Sequence, residues 1–186
     1  DRAAVEAWAD RVVADHGRVN LIFNNAGVAL AATVADTTPE DLGWIMDIDY
    51  WGVVHGTQAF LPHLKATGDG HVVNTSSIFG LVGIPTQSAY CSAKFAVRGF
   101  TEALRIELDL ERCGVSATSV HPGGIKTDIA RRARTAGVDA LGRDPEQAKR
   151  DFERLFITRA DSAARQIVRA VQLDRRRALI GPDAVV

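Results

Sequence analysis

Tyr90 and Lys94 stand four residues apart in the stretch SAYCSAKFAV, residues 88–97, among small side chains. On a helix, positions i and i+4 share one face and lie roughly 6 Å apart along the axis. A phenol beside an ammonium can do proton chemistry, because a nearby cation favours phenolate over phenol. The small neighbours leave space for a ligand. Lysine is scarce in the chain, occurring only as Lys65, Lys94, Lys126 and Lys149. A pair on a solvated helix face satisfies the same spacing, so the surrounding elements must decide.

Those elements can be read from periodicity. Val5, Trp8, Ala9, Val12 and Val13 predict an amphipathic helix over 2–16, closed at Gly17. The apolar run 19–23 predicts a buried strand, and Asn24-Asn25-Ala26-Gly27 a turn. Thr38-Pro39-Glu40-Asp41 has the marks of a helix start: a threonine cap, proline in first position and acids in the first turn. That helix is expected to reach about Lys65, with a break over 49–52. A strand over 71–75, a loop over 76–87 and a long helix over 88–112 follow. The next strand, 115–120, is expected to break at His121-Pro122-Gly123-Gly124. The arginine-rich segment 128–158 predicts a loop region with one or two short helices. A helix over 161–173 and a strand over 178–180 close the chain.

This order, α-β-α-β-α-β-α-β, predicts an α/β domain over 1–186, a doubly wound parallel sheet with helices on both faces. Such sheets bind ligands beyond the carboxyl ends of their strands. Residues 24–27, Ser76-Ser77 and residues 122–127 each follow a strand there. Tyr90 and Lys94 open the helix after the second. Three strand ends are therefore expected to converge on one crevice.

Composition narrows the function classes. Hydrophobic residues make up 46% and charged residues 24%, with a formal net charge of -1. No global field draws nucleic acid or an anionic membrane, and neither is expected as a partner. Two cysteines, Cys91 and Cys113, make no disulfide framework, and there is no apolar run near the ~20 residues that span a bilayer. The expectation is a cytoplasmic protein, with Cys91 a half-buried packing residue. His16, His55, His63, His71 and His121 show no zinc-ligand spacing, so no metal is expected. His121, ending a strand beside the crevice, is a packing histidine or a minor substrate contact. No Gly-x-Ser-x-Gly elbow makes either serine a hydrolase nucleophile.

Taken together and in order, Asn24-Asn25-Ala26-Gly27, Asn74-Thr75-Ser76-Ser77, Tyr90-x-x-x-Lys94 and Pro122-Gly123-Gly124-Ile125-Lys126-Thr127 resemble the motifs of the short-chain dehydrogenase/reductase family. The resemblance covers nearly the whole chain. It implies a Rossmann-like fold and an NAD- or NADP-dependent oxidoreductase that interconverts a secondary alcohol and a ketone or aldehyde. It implies Tyr90 as catalytic acid/base, Lys94 as the residue that holds the cofactor ribose and lowers the phenol's pKa, and Ser77 as the group that orients the substrate oxygen. Ser76 is expected as a neighbour only. Asn24, Ala26, Gly27, Pro122, Gly123, Ile125 and Thr127 match cofactor-binding positions, the last two at the nicotinamide carboxamide. A homodimer or homotetramer is implied, through helices 40–65 and 88–112. Phe95, Phe100 and Leu104 are expected to serve either that interface or the core.

Two departures stand out. Asp49-Tyr50-Trp51-Gly52 occupies the place of the family's Asn-x-x-Gly. The family asparagine acts largely through its main-chain carbonyl, so Asp49 is expected as a catalytic-site residue that keeps the carbonyl and adds a negative charge, with a reduced proton relay. The glycine-rich turn that meets a pyrophosphate is also missing, since Gly68-Asp69-Gly70 precedes a strand rather than following one. The chain opens on Asp1, and its one methionine is Met46. The expectation is a truncated domain whose first βαβ portion lies upstream. Arg131, Arg132 and Arg134 fall in the family's substrate-lid region, as a solvated face or an attraction for an acidic substrate. The alternative to an enzyme is a non-catalytic binding or scaffold protein that keeps the fold.

Overall fold

The computed structural model describes residues 1–137, 147, 150, 154 and 156–184. In chain order the elements begin with α1 (Arg2–His16), β1 (Leu21–Asn24), β2 (Leu30–Ala32), α2 (Pro39–Met46), α3 (Gly52–Thr67) and β3 (Gly70–Thr75). They continue with α4 (Ser88–Glu111), β4 (Val115–Pro122), β5 (Arg134–Ala136), α5 (Ala160–Gln172) and β6 (Arg177–Ile180). The main sheet has the order β1-β3-β4-β6, and every neighbouring pair is parallel.

Side chains alternate across this sheet, as the two-residue strand period requires. Val72 packs with Ala9, Ile22, Phe60, Leu64, Leu104, Leu108, Val115 and Ala117, so α1, α3 and α4 cover one face. Val73 packs with Val120, Ala163, Ala170, Ala178 and Ile180, so α5 covers the other. Both valines are fully buried, which explains why β3 shows no polar alternation. The doubly wound α/β architecture expected from the sequence is present. Among the described residues no helix is long and apolar enough to cross a membrane.

The element order differs from the expectation in two respects. A second, two-stranded parallel sheet pairs β2 with β5. Three-residue strands of Leu-Ala-Ala and Arg-Thr-Ala carry no readable period, and their pairing spans more than a hundred residues of sequence. The Arg134 guanidinium lies 3.7 Å from the centre of the Trp44 ring and 2.9 Å from Asp41, which ties β5 to α2. Also, β4 runs through Pro122 instead of breaking before it, because the His121 and Pro122 positions pair with Leu179 and Ile180. Of the predicted loop region 128–158, residues 138–146, 148, 149, 151–153 and 155 lie outside the described residues. Leu104 belongs to the core, whereas Phe95 is 42% exposed on α4.

A chain of buried amides and hydroxyls locks the strand ends to the helices. Asn24 Nδ2 donates to Asn74 Oδ1 (2.8 Å) and Thr57 Oγ1 (3.1 Å), and Asn74 Nδ2 donates to Thr101 Oγ1 (3.0 Å). Thr101 Oγ1 donates in turn to the Val97 carbonyl at 2.7 Å. The Asn24 amide rests directly on Gly56, and a Cβ there would collide with Asn24 Oδ1. Gly56→Ala is therefore expected to destabilise the fold by about 1–3 kcal/mol, through overpacking and a disturbed amide ladder. Urea unfolding of the two proteins measures it, and equal midpoints would refute it.

Candidate active site

The site begins with a local irregularity between α2 and α3. Residues Asp47–Trp51 form one wide π turn, in which the Gly52 N–H reaches the Asp47 carbonyl five residues back. The helix does not break over 49–52, as expected, but widens by one residue. Such wide turns re-aim a side chain inside a continuous helix and occur often at functional sites. Here the turn carries Asp49, which is completely buried.

The Asp49 carboxylate makes two contacts. Oδ1 accepts from the Val28 N–H at 2.7 Å, and Oδ2 lies 3.2 Å from Lys94 Nζ. Asp49 thus contributes through its side chain, whereas the resemblance pointed to the main chain. Lys94 is 3% exposed and also donates to the Thr75 carbonyl at 3.2 Å. Burial pushes the Asp49 carboxyl above its ordinary pKa, and Lys94 and the Val28 amide oppose that rise. Gly27 covers the ion pair: a Cβ there would lie 3.3 Å from Asp49 Oδ1 and 3.4 Å from Lys94 Nζ. The ammonium is therefore approached over bare backbone.

Tyr90 lies on the first turn of α4, with Lys94 Nζ 5.5 Å from its ring centre. Its phenol faces the Ser77 side chain, which helps to lower its pKa. Burial raises the phenol's pKa most, Lys94 lowers it, and the Asp49 charge raises it again; the balance is upward. The Phe79 ring meets the Tyr90 ring edge-on, with centres 6.2 Å apart, and limits how the phenol can swing.

Ser77 and Ser76 part ways structurally. Ser77 is extended and accepts from the Phe79 N–H at 3.1 Å, which fixes its hydroxyl at the start of a 3-10 turn. Ser76 Oγ donates to the Lys94 carbonyl at 2.8 Å and so ties β3 to α4. Gly80 gives room for that bond, since a Cβ there would strike Ser76 Oγ. His121 is fully buried, which excludes a substrate contact, and its Nδ1 lies 2.9 Å from the Ser77 carbonyl. A carbonyl only accepts, so Nδ1 carries the proton and Nε2 takes the 2.9 Å bond from Ser119 Oγ. Burial lowers the His121 pKa, which keeps this ring neutral and its tautomer set. The His-Pro-Gly sequence at a strand end was the one signal for this brace, and it does not say which way the ring turns. Cys91, next to Tyr90, is buried rather than half-buried, with Sγ 3.8 Å from the Val82 carbonyl.

The structure gathers Ser77, Tyr90, Lys94, Asp49 and Gly27 at the ends of β1 and β3. Asn24 turns inward, its amide committed to the buried ladder, while Ala26 is exposed. Residues 122–127 leave the neighbouring β4, with Ile125 half-buried against the α5 face of the sheet and Thr127 exposed. Thr127 lines a cleft of about 350 Å³ with Lys126, Asp128, Ala130, Arg131 and Phe156. Arg131 and Arg132 both lie beside Asp128.

A family model described as short chain dehydrogenase matches residues 1–138. SadH of Mycobacterium tuberculosis, which carries an oxidoreductase name, is 49% identical over 185 residues, covering 99% of this chain and 66% of its own length. The chain thus spans slightly less than two thirds of that relative. A short chain dehydrogenase/reductase from Burkholderia phymatum, solved with NAD, superposes with a TM-score of 0.84 at 28% identity, over 96% of this chain and 66% of that one. A gluconate 5-dehydrogenase from Burkholderia cenocepacia, solved with NADP and tartrate, gives a TM-score of 0.67 at 29% identity, over 78% and 53% of the two chains. The family match runs through the strand ends where Tyr90, Lys94 and Ser77 meet, and on it the chain belongs to the short chain dehydrogenase family.

Proposed function

We propose that this chain forms the catalytic part of an NAD- or NADP-dependent oxidoreductase interconverting a secondary alcohol and a ketone or aldehyde. The observation that carries the reading is the hydroxyl pair: the Ser77 side chain faces the Tyr90 phenol at a strand end and helps to lower its pKa, with the Lys94 ammonium 5.5 Å from the ring centre. Two hydroxyls so held can bind one substrate oxygen between them. Gly27 supports a flat polar ligand over Lys94, because only its bare backbone, with no side chain, covers the ion pair.

In carbonyl reduction Tyr90 donates its phenolic proton to the substrate oxygen, and Ser77 donates a hydrogen bond that orients it. In alcohol oxidation the phenolate takes the hydroxyl proton. A bound nicotinamide would supply the hydride for reduction and take it up in oxidation. Lys94 would meet the ribose hydroxyls, with Gly27 and Ala26 as the backbone alongside. Ile125 and Thr127 would hold the nicotinamide carboxamide, with Pro122 and Gly123 shaping their loop.

Asp49 changes the charge balance. Its carboxylate pairs with Lys94, so the phenol faces a nearly neutral pair in place of a free cation. Burial, with Asp49 adding to it, holds Tyr90 in its proton-donating form through neutral pH, the form that carbonyl reduction uses.

The same reading includes a homodimer or homotetramer. Trp51 (46%), in the wide turn before α3, and Phe95 (42%), on α4, are exposed large apolar side chains of the kind an interface covers. Phe95→Glu should lower the sedimentation coefficient of the intact protein, and an unchanged coefficient would place any contact elsewhere.

Tyr90→Phe tests the chemistry. We expect kcat/KM for carbonyl reduction to fall by about 10²–10⁴-fold with an unchanged circular dichroism spectrum. An unchanged rate would remove Tyr90 from the mechanism and favour a non-catalytic binding protein. Asp49→Asn tests the charge balance. It removes a negative charge that opposes phenol ionisation and leaves Lys94 unneutralised, and both effects favour phenolate. The Tyr90 transition in an ultraviolet pH titration, identified as the one absent from Tyr90→Phe, is expected to move to lower pH. A transition that stays in place would show that the phenol does not feel Asp49.

A further inference from the structure

The loop over residues 122–127 is held by chain segments far away in sequence. Gly123 N–H donates to the Ile180 carbonyl at 2.9 Å, extending the β4–β6 pairing. Thr158 forms a parallel bridge with Ile125: its N–H donates to the Gly124 carbonyl (3.0 Å) and its carbonyl accepts from Lys126 N–H (2.8 Å). The Gly124 N–H donates to Asp183 Oδ2 at 2.6 Å.

Asp183 sits in a 3-10 turn, Pro182–Ala184, directly after β6. Two glycines make space for its carboxylate. A Cβ on Gly123 would overlap it, and a Cβ on Gly181 would lie 2.7 Å from both Asp183 Oδ1 and Thr158 Oγ1. Gly181 has φ +98, a conformation that L side chains rarely adopt and that turns the chain so that Asp183 comes back to the loop. A carboxylate accepting from a partly buried backbone N–H is among the stronger hydrogen bonds a fold can make.

We propose that Asp183 is a positioning residue for the nicotinamide-holding loop: its carboxylate accepts from the Gly124 amide and sets the course of residues 122–127. The inference rests on the functional reading above, in which Ile125 and Thr127 hold the nicotinamide carboxamide. Asp183 touches neither ligand nor substrate there. It acts through Gly124, from the other end of the chain, and its effect is confined to the nicotinamide half of a dinucleotide.

Equilibrium binding to the intact protein tests this, with NADH or NADPH followed by nicotinamide fluorescence and ADP-ribose or its 2′-phosphate as the ring-less control. Asp183→Ala is expected to weaken the nicotinamide dinucleotide about tenfold and to leave the control within about twofold. Asp183→Asn, which keeps an acceptor oxygen, should recover most of the loss. Gly123→Ala should copy Asp183→Ala, because its methyl group would displace the carboxylate. Equal losses for dinucleotide and control, or no loss, would overturn the inference. The hydrogen bond has its own readout in the exchange of the Gly124 amide, expected to be slow in the wild type and faster in Asp183→Ala. Should Asp183→Ala not fold, wild type and Asp183→Asn carry the exchange test, and a fast Gly124 amide in the wild type overturns the inference. Wild-type protein that binds no nicotinamide dinucleotide overturns the functional reading and the loop's assigned purpose together, while a slow Gly124 amide would still leave the contact itself standing.

Discussion

The buried contact between Asp49 and Lys94 organises this molecule's upper rim. Neither side chain reaches water, so each charge is tolerated because the other is 3.2 Å away, with the Val28 amide on Asp49 Oδ1 and the Thr75 carbonyl on Lys94 as further support. Removing one partner from a pair like this costs about 3–5 kcal/mol, because the other is left uncompensated. The pair therefore ties three elements that share no sequence neighbourhood. Asp49 comes from the wide turn before α3, Lys94 from α4, and the carbonyl of Thr75 from the end of β3. The amide of Val28 brings in the segment after β1, and Gly27 covers the pair without a side chain.

Below that pair, the Asn24–Asn74–Thr101 ladder performs the same task with neutral groups. Parallel strands end where their backbone ladders run out, and the side chains beyond must satisfy one another or face water. Asn24 and Asn74 join β1 to β3, and Thr57 and Thr101 join both to the helices. Ser76 and His121 continue the scheme, the first bonding to the backbone of α4 and the second to that of Ser77. Tyr90 and Ser77 are held on a rim in which nearly every polar group is already committed. Phe79 serves both, its N–H bonded to the Ser77 hydroxyl and its ring set edge-on to that of Tyr90.

Much of this was legible in the residues. The main-sheet strands and the long helices were readable because apolar side chains recur at the strand and helix periods over enough residues to be unambiguous, as from Val5 to Val13 or along 88–112. The gathering of Ser77, Tyr90 and Lys94 followed from the rule that strand carboxyl ends face one crevice. Three things were not legible. The β2–β5 pair is too short for any period to show. The inward turn of the Asp49 carboxylate depends on one extra residue in a helical turn, and no residue type announces it. The reach of Asp183 to Gly124 joins positions 59 residues apart, through the left-handed Gly181. In each case the deciding contact is tertiary, between residues whose own neighbourhoods read as ordinary.

An aspartate where the family resemblance implies an asparagine has a consequence that reaches beyond position 49. An asparagine there would leave Lys94 as a net positive charge beside the phenol. Burial is the largest influence on Tyr90 and raises its pKa, Lys94 opposes that rise, and the Asp49 carboxylate adds to it. On the proposed reading, a positive charge that arrives with an oxidised cofactor then matters more to this phenol than it would to one already facing a free ammonium. Proton transfer in the oxidative direction becomes coupled to what is bound, while the protonated phenol stands ready for reduction without help. On the same reading, the side chain at one buried position would shift the pH at which the phenol changes form, although it touches neither substrate nor the hydroxyl that carries the proton.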